Sequence, residues 1–426
     1  MLSPDTQAIL LLCASFGQNR QTEPFPLNLG EYNTLASWLR EENMFPQDLI
    51  NPNFINRLPQ LNIGKLDSNR LVSLLQRGGL LALTVEKWFN QGLWVISRAD
   101  SNYPQRLKQQ LKSLAPPILY GIGNQDLLLK GGLAVVGSRN VDQEGLDYTY
   151  RIVETCAEQK IQVISGGAKG VDQASMLGTL KAGGTAIGIL ANNLLKASVN
   201  GQYRPSIKEG KLTLISAVDP NASFHVGNAM GRNKYIYALA NYGLVISADY
   251  NTGGTWAGAT EALNIIKNVP VLVRMQGAIP EGNQELLKKG AKPFPDTPWN
   301  RPIKELIETT ISEYKPIESP QNNTQLTLFS QDNHSVVPEN KAELKLQESD
   351  ISSRNDGFKS SSERLYYAVL PIILQELKKP QDQKSLATNL DVQVGQLSKW
   401  LKKAVTDKKV IKQTENKQVI YKLNEI

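Results

Sequence analysis

A strand that runs into a glycine-rich turn and then a helix occurs three times in the middle of this 426-residue chain. This pattern restricts the fold, because repeated strand–turn–helix units build an open α/β sheet with mostly parallel strands. Such sheets bind ligands beyond the carboxyl ends of their strands. The three copies are Leu133-Ala-Val-Val-Gly-Ser-Arg-Asn140, Val163-Ile-Ser-Gly-Gly-Ala-Lys-Gly-Val-Asp172 and Val245-Ile-Ser-Ala-Asp-Tyr-Asn-Thr-Gly-Gly-Thr255.

The candidate strands of this region are short and mostly apolar, as expected for strands that are covered on both faces. With right-handed crossovers they predict a three-layer α/β sandwich. We predict strands at Leu133–Val136, Gln162–Ser165, Thr185–Leu190, Thr213–Ser216, Leu244–Ser247 and Val271–Arg274. Helices are predicted at Gln143–Gln159, Val171–Ala182, Arg232–Asn241 and Trp256–Lys267.

The predicted α/β domain spans residues 96–312. The regions on either side of it have a different composition. Residues 1–95 carry apolar residues at helical spacing and are predicted to form a helical N-terminal domain. The aromatic and proline-rich stretch around Trp94–Ser97 and Leu119–Gly121 is predicted to be an extended linker packed on the α/β domain. Residues 313–362 are polar, rich in turn residues and nearly free of aromatic residues, which predicts a disordered linker.

The last segment, residues 363–426, regains regular periodicity. It reads as a helix, two further helices and two alternating strands around Glu415-Asn-Lys417, which is the element order of a winged helix. Asp391 is predicted to cap the third of these helices. The segment holds twelve basic and seven acidic residues, so it carries most of the chain's formal net charge of +7. Duplex DNA binding by this segment is left open, because winged helices also bind proteins.

The overall composition narrows the class of protein. The positive net charge and a pI near 9.1 are compatible with a polyanionic partner. The sequence has no apolar run of about 18 residues and no signal-peptide pattern, which predicts a soluble cytoplasmic protein. Cys13 and Cys156 are expected to be buried free thiols, and no zinc site is expected with two histidines.

Basic residues recur where helices of the α/β domain are predicted to begin. A cation at a helix N-terminus opposes the helix dipole and costs up to about 1 kcal/mol. A bound anion would reverse this penalty, because it would meet the cations, the positive helix ends and free backbone N–H groups together. These residues are Arg139 after Gly137-Ser138, Lys169 after Gly166-Gly167-Ala168, and Arg232 and Lys234 after Gly231.

The same residues do not fit the commonest phosphate ligands of such sheets. The first turn, Gly137-Ser-Arg-Asn140, is not G-x-G-x-x-G, and Ser165 stands where an acidic residue would hold a ribose. A P-loop, a metal-ligand cluster and a Ser/His/Asp arrangement are not apparent either. We therefore expect no cofactor. The remaining ligands are a phosphodiester backbone or a small nucleotide-like molecule.

These motifs resemble those of the DprA family of DNA-processing proteins, also called Smf. That family shows a G-S-R turn, an S-G-x-A-x-G-x-D turn and an R-N-R helix start, where this chain has Gly137-Ser-Arg139, Ser165–Asp172 and Arg232-Asn-Lys234. The resemblance covers residues 95–275. It implies an extended Rossmann-like domain that binds single-stranded DNA, accompanied by a helical N-terminal domain and a C-terminal winged helix.

The resemblance also implies a biological role. It implies a homodimer that interacts with the RecA recombinase and helps to load RecA on incoming single strands in natural transformation, without enzymatic activity. Phe224 and Trp256 are candidate base-stacking residues. The residues that would contact the DNA or its phosphates are Gly137, Ser138, Arg139, Ser165, Gly166, Gly167, Lys169, Arg232, Asn233 and Lys234.

The third glycine turn favours a different function. Gly253-Gly-Thr255 together with Glu261 is similar to the P-G-G-x-G-T-x-x-E motif of nucleotide phosphoribohydrolases, in which the glutamate acts at the glycosidic bond. The alternative prediction is therefore a nucleotide-binding sensor or a phosphoribohydrolase-like enzyme on the same Rossmann-like fold. A third hypothesis keeps DNA binding but places the main site on residues 363–426.

Overall fold

The chain divides into two compact units, Met1–Asn323 and Thr324–Ile426, which are treated separately below. Among the residues that are described, no helix is both long and apolar enough to cross a membrane. Most of the predicted linker, residues 315–360, lies outside the described residues, and so do Asp391 and the turn residues Asn416 and Lys417. The domain boundaries stay a prediction. The structure is a computed structural model that describes residues 2–17, 24–314, 361–377, 380–390, 392, 394–415 and 418–424.

The first unit opens with five helices: α1 (Pro4–Cys13), α2 (Leu29–Glu41), α3 (Pro52–Arg57), α4 (Ser68–Leu75) and α5 (Gly78–Asn90). Local caps set where the first two begin. The Ser3 side chain accepts a hydrogen bond from the Thr6 amide, which starts α1. At the start of α2, Asn28 and Glu31 form a capping box in which each side chain accepts from the other's backbone amide.

A nine-stranded sheet follows, in the order β1-β2-β6-β5-β4-β3-β7-β8-β9. From β6 to β9 neighbouring strands run parallel, whereas β2 pairs with β6 and β1 pairs with β2 in antiparallel fashion. The prediction of a mostly parallel Rossmann-like sheet is thereby confirmed. The strands are β1 (Trp94–Ser97), β2 (Ile118–Ile122), β3 (Leu133–Val136), β4 (Val163–Ser165), β5 (Ala186–Leu190), β6 (Leu212–Ser216), β7 (Tyr242–Val245), β8 (Val271–Val273) and β9 (Lys292–Pro293).

Ten helices connect these strands or follow them. They are α6 (Gln105–Leu111), α7 (Leu127–Lys130), α8 (Gln143–Glu158), α9 (Val171–Lys181), α10 (Leu194–Ser198), α11 (Arg204–Lys208), α12 (Val226–Leu239), α13 (Gly253–Ile265), α14 (Glu281–Lys288) and α15 (Ile303–Glu313).

Strand β3 shows why the helices form a layer on each face of the sheet. Its side chains alternate between two apolar clusters, with Leu133 and Val135 in one and Ala134 and Val136 in the other. The first cluster contains residues of α8 and α15, and the second contains residues of α12 and α13. Since strand side chains point to opposite faces in turn, both faces of β3 are buried.

The N-terminal helices share a third apolar cluster with the antiparallel side of the sheet. Leu12, Leu35 and Trp88 belong to the same cluster as Tyr120 of β2 and Leu214 of β6. Trp88 and Tyr120 meet edge to face, with 5.1 Å between ring centroids. The helical segment therefore packs directly on this end of the sheet.

Two sequence predictions are wrong in this unit. The stretches expected to form an extended linker are strands β1 and β2, because their apolar side chains join the clusters of the sheet. Helix α12 begins at Val226 and not at Arg232, because the His225 side chain accepts a hydrogen bond from the Gly227 amide and caps the helix earlier. The two cysteines are free, but Cys13 is only half-buried, whereas Cys156 is buried.

The chain order reverses at β3, which places the glycine turns side by side. Strand β3 pairs with β4 on one side and with β7 on the other. The turns that leave all three strands therefore meet at the carboxyl edge of the sheet. In open α/β sheets such a switch point is where ligands bind.

The second unit contains α16 (Ser361–Glu376), β10 (Gln381–Asp382), α17 (Gln383–Asn389), α18 (Val394–Thr406), β11 (Val410–Glu415) and β12 (Gln418–Leu423). Its three strands pair antiparallel in the order β10-β12-β11. Tyr366, Ile373, Leu386, Leu397 and Tyr421 share its apolar core. The observed elements follow one another in the predicted order, and the winged-helix assignment stays a prediction.

Candidate nucleic-acid interface

Backbone hydrogen bonds join the three turns at the carboxyl edge. The Ser138 amide donates to Ser247 O after β7 at 2.8 Å, and the Val171 amide donates to Ser138 O at 3.4 Å. Gly170 has φ +81°, and a Cβ at this position would overlap Ser138 O. The turns after β3 and β4 therefore approach each other as closely as a residue without a side chain allows.

A buried ion pair lies beneath these turns. Asp172, in the first turn of α9, lies against Gly166, where an added Cβ would overlap its Oδ2, and the backbone N–H groups of Gly137, Gly166 and Ala168 favour the charged form of its carboxyl. Its Oδ2 lies 3.7 Å from Nη1 of Arg232, and the same Nη1 donates to Ile189 O at 3.0 Å. Asp172 is 6% exposed and Arg232 is 8% exposed. The pair thus connects the ends of β3, β4 and β5 with α12.

Burial shifts the pKa of both partners toward their neutral forms. Burial raises the pKa of the Asp172 carboxyl, while the Arg232 guanidinium and the backbone donors oppose that shift. Burial lowers the pKa of Arg232, and the nearby charge of Arg139 adds to this lowering while Asp172 opposes it. An arginine side chain nevertheless stays protonated in proteins. The effect of Arg139 on the pKa of Arg232 indicates that the exposed Arg139 lies near the buried Arg232 at this edge.

Two of the predicted cations are exposed, and they follow adjacent strands. Arg139 follows the turn after β3, and Lys169 follows the turn after β4. The Arg139 guanidinium carbon lies 5.9 Å from the centre of the Phe224 ring. This arrangement brings together positive charge, an aromatic face and the N-terminal end of α9, which suits a phosphorylated ligand.

The serine and glycines after β4 form the floor of the edge. Ser165 is fully buried, and its hydroxyl donates to Val135 O at 2.7 Å, so this side chain points into the sheet. Gly166 is buried too, and a Cβ there would overlap both the Arg232 guanidinium and the Asp172 carboxylate. Gly167 has φ +66°, which favours glycine. Gly166 is therefore required by the close packing of the ion pair, and Gly167 is favoured by its backbone conformation.

The remaining predicted residues of α12 contact helix α13. The Asn233 amide group donates to Gly254 O at 2.9 Å. Lys234 forms an ion pair with Glu261, with 3.5 Å between Nζ and Oε1. The third glycine turn is the first turn of α13, which starts at Gly253. Asn233 and Lys234 thus hold α12 against α13.

The two candidate stacking residues differ in exposure. Phe224 is 43% exposed, whereas Trp256 is 6% exposed and packs edge to face on Tyr250 at 5.2 Å. Val226 and Met230, on the first two turns of α12, are exposed apolar residues that the sequence reading did not select. Their signal was the apolar content of residues 224–231, which lie before the predicted start of this helix.

A cavity of about 260 Å³ lies at the ends of β5 and β6 and was also not predicted. Among its lining residues are Ser15, Asp219, Asn228, Arg232 and Tyr235. Asp219 Oδ2 accepts from the Gly17 amide at 2.8 Å and from the Ser15 hydroxyl at 3.1 Å. The cavity therefore has one wall from the N-terminal helical segment and another from α12. Within the described part of the chain no group of three His, Cys, Asp or Glu side chains could hold a metal ion.

A doubly wound sheet with glycine turns, helix N-termini and exposed cations at its switch point defines a Rossmann-like protein whose sheet edge suits an anionic ligand. Residues 94–307 match the sequence profile of the family described as DNA recombination-mediator protein A, and the chain belongs to that family. The predicted resemblance to the DprA/Smf family is thereby confirmed.

Individual relatives agree with this assignment. The DNA processing protein DprA of Streptococcus pneumoniae is 28% identical over 197 residues, which cover 45% of this chain and 68% of the relative. Protein Smf of Escherichia coli is 28% identical over 209 residues, which cover 48% of this chain and 55% of the relative. The X-ray structure of DprA from Streptococcus pneumoniae matches with a TM-score of 0.53 at 18% identity, over 74% of this chain and 99% of that one. This structural likeness shows a shared fold.

Proposed function

We propose that the carboxyl edge of the nine-stranded sheet binds the backbone of single-stranded DNA and that the protein is a recombination mediator. The observation that carries this proposal is the position of two exposed cations, Arg139 and Lys169, on touching glycine turns after adjacent parallel strands. A chain of phosphates can contact several such groups in succession. Membership of the DNA recombination-mediator protein A family supports the same function.

The position of Phe224 favours a single strand as the ligand. Its exposed ring lies against Arg139, so a nucleotide whose phosphate contacts the guanidinium would have its base near the ring. Bases of a single strand are free to stack on an aromatic side chain, and such stacking tolerates every base. We therefore expect little sequence preference and a preference for single strands over duplex.

Binding assays with three ligands test this proposal. A labelled single strand, a duplex of the same sequence and a mononucleotide are titrated at several salt concentrations. We expect the single strand to bind most tightly and its affinity to fall steeply with salt, because phosphate contacts release counterions. Saturable mononucleotide binding without single-strand binding would contradict the proposal.

The alternative of a phosphoribohydrolase-like enzyme depends on Glu261. That carboxylate is 28% exposed and is paired with Lys234, which gives it a role in joining α12 to α13. This contact does not favour the alternative over DNA binding. Release of ribose 5-phosphate from a nucleotide, lost in Glu261→Gln, would be the result that supports it.

The same proposal includes an oligomeric state, a cellular location and a protein partner. We propose a non-enzymatic homodimer in the cytoplasm that interacts with RecA and loads it on incoming single strands. The support is the resemblance of the three motifs and the family match. Sedimentation of the full chain alone and with RecA tests the oligomeric state and the interaction. A monomer that does not bind RecA would restrict the proposal to DNA binding.

The predicted winged helix offers a second DNA site. Deleting residues 363–426 separates it from the sheet edge. We expect the deletion to leave single-strand affinity within about twofold of the full chain, because the exposed cations Arg139 and Lys169 remain. Complete loss of single-strand binding would place the main site on the deleted segment.

A further inference from the structure

Arg232 was predicted to contact phosphate, but its environment suits a different role. The guanidinium is buried beneath the glycine turns, where it contacts Asp172 and Ile189 O. It also fills the space that a side chain at Gly166 would need. Arg139 and Lys169, in contrast, are exposed. Two basic residues of this edge, Arg139 and Lys169, are therefore at the surface, and a third, Arg232, is buried.

Asp172 is the link between Arg232 and the binding turns. Its carboxylate lies against Gly166 after β4, where an added Cβ would overlap Oδ2, and the backbone N–H groups of Gly137 after β3 and of Gly166 and Ala168 after β4 favour its charged form. The Asp172 side chain thus fixes the relative position of two turns. Arg139 follows the first of these turns, and Lys169 follows the second. A shift of this carboxylate would move both exposed cations.

The ion pair is not arranged to give the greatest stability. Arg232 Nε is buried and has no hydrogen-bond partner among the described residues. A buried ion pair is costly to desolvate, and an unsatisfied N–H adds to that cost. Apolar residues of similar size often stabilise such a site better. The arrangement therefore fits a positioning role better than a purely stabilising one.

We propose that Asp172 and Arg232 are positioning residues of the DNA site, and this inference rests on the proposed single-strand binding. Asp172 holds the two glycine turns in register so that Arg139 and Lys169 meet successive phosphates. Arg232 neutralises Asp172, because an uncompensated carboxylate beneath the turns would repel an incoming phosphate. Arg232 makes no phosphate contact itself.

The salt dependence of binding distinguishes this role from a direct contact. Each phosphate contact with a single strand contributes about 0.7 to the slope of log affinity against log salt concentration. We expect Arg139→Ala to reduce this slope by about 0.7. Arg232→Gln should weaken binding about tenfold through loss of preorganisation while the slope stays at the wild-type value. A slope reduced as in Arg139→Ala would overturn the proposal, and so would unchanged affinity.

Hydrogen exchange tests the same role without DNA. In Asp172→Asn and in Arg232→Gln we expect the amides of Gly137, Gly166 and Ala168 to exchange about tenfold faster, because the carboxylate near all three is neutralised or displaced. Arg274→Gln is the matched control, since Arg274 is also a buried, ion-paired arginine but holds the segment after β8. It should leave those three amides unchanged.

Two outcomes of this second experiment would overturn the proposal. They are unchanged exchange in both variants of the pair, and equal acceleration in Arg274→Gln, which would indicate general destabilisation. Should Arg232→Gln not fold, Asp172→Asn carries both readouts, because it keeps the size of the side chain. Absence of single-strand binding by the wild-type protein would refute the proposed function, whereas the exchange result would still decide whether Asp172 and Arg232 hold the turns.

Discussion

Asp172 and Arg232 form an ion pair beneath the carboxyl edge of the sheet, with 3.7 Å between Oδ2 and Nη1. The pair connects the first turn of α9 with the second turn of α12, and the carboxylate lies against Gly166 in the turn after β4. We propose that phosphate is bound by the exposed cations above the pair, Arg139 and Lys169. The predictions below test this division between surface and buried charges.

Helix α9 carries a lysine near each end, which provides a matched comparison. Lys169 lies just before the helix at the proposed site, and Lys181 ends it at the opposite edge of the sheet. We expect Lys169→Ala to weaken binding to all single strands alike and to lower the salt slope by about 0.7. Lys181→Ala should bind as the wild type does. Equal effects of the two changes in a fluorescence anisotropy titration would indicate that only net charge matters.

Replacing Phe224 is predicted to weaken DNA binding, whereas replacing Trp256 is predicted to destabilise the fold. Phe224→Ala should weaken single-strand binding by about 1–3 kcal/mol, because a base loses its stacking surface, and should leave the salt slope unchanged. Trp256→Ala should instead destabilise the fold by about 3–5 kcal/mol, since the indole is buried. Binding titrations and urea denaturation of both variants check this. Unchanged DNA affinity of Phe224→Ala would remove the ring from the site.

The contact between Lys234 and Glu261 is predicted to be structural. Their side chains are 16% and 28% exposed, so the pair is partly shielded from solvent. A double-mutant cycle with Lys234→Met and Glu261→Gln should give a coupling energy of about 0.5–1 kcal/mol in the free energy of unfolding. Zero coupling in denaturation experiments would show that the ion pair does not join α12 to α13.

Acid sensitivity is predicted for the N-terminal helices. The Arg70 side chain bonds Glu31 and holds the pKa of that carboxyl below its usual value, and the Asn28 amide acts in the same direction. A carboxyl whose pKa is lower in the folded state than in the unfolded state stabilises the protein at pH values above the unfolded-state pKa. This stabilisation is lost as the pH falls through the folded-state pKa. Glu31→Gln should therefore be less stable than the wild type at pH ~7, and the difference should shrink below pH ~4.

Thermal denaturation at both pH values measures this effect. Glu41→Gln is the control, because Glu41 is an exposed residue in the last turn of the same helix. It should leave the wild-type acid dependence in place. A gap between wild type and Glu31→Gln that is the same at both pH values would contradict the assignment.

The parallel core of the fold was predictable because its signals are local. The strand β3 was predicted with the bounds that the structure shows, since four apolar residues end at a glycine turn. Strand β2 was missed because its pairing with β6 is distant: Tyr120 pairs with Ser216, about a hundred residues away, and β1 joins the sheet only through β2. No local pattern distinguishes such a strand from an extended linker.

The sequence predicted which residues belong to the site but not which of them are buried or in contact. The motifs selected both exposed cations and the glycines that the structure brings together. Sequence spacing could not show that Arg232 is buried, because the early start of α12 depends on a histidine cap that is unusual. Nor could it show that Asp172 faces Arg232, since this contact depends on the packing of α9 and α12 around the sheet.

The salt dependence of single-strand binding by the wild type and by Arg139→Ala shows whether the exposed cations of the sheet edge bind phosphate. Both are titrated with one labelled oligonucleotide over a series of salt concentrations. We predict a steep fall in wild-type affinity with salt, and for Arg139→Ala weaker binding with a slope lower by about 0.7. Wild-type binding that is absent or independent of salt, or an Arg139→Ala variant that binds as the wild type does, would contradict the account.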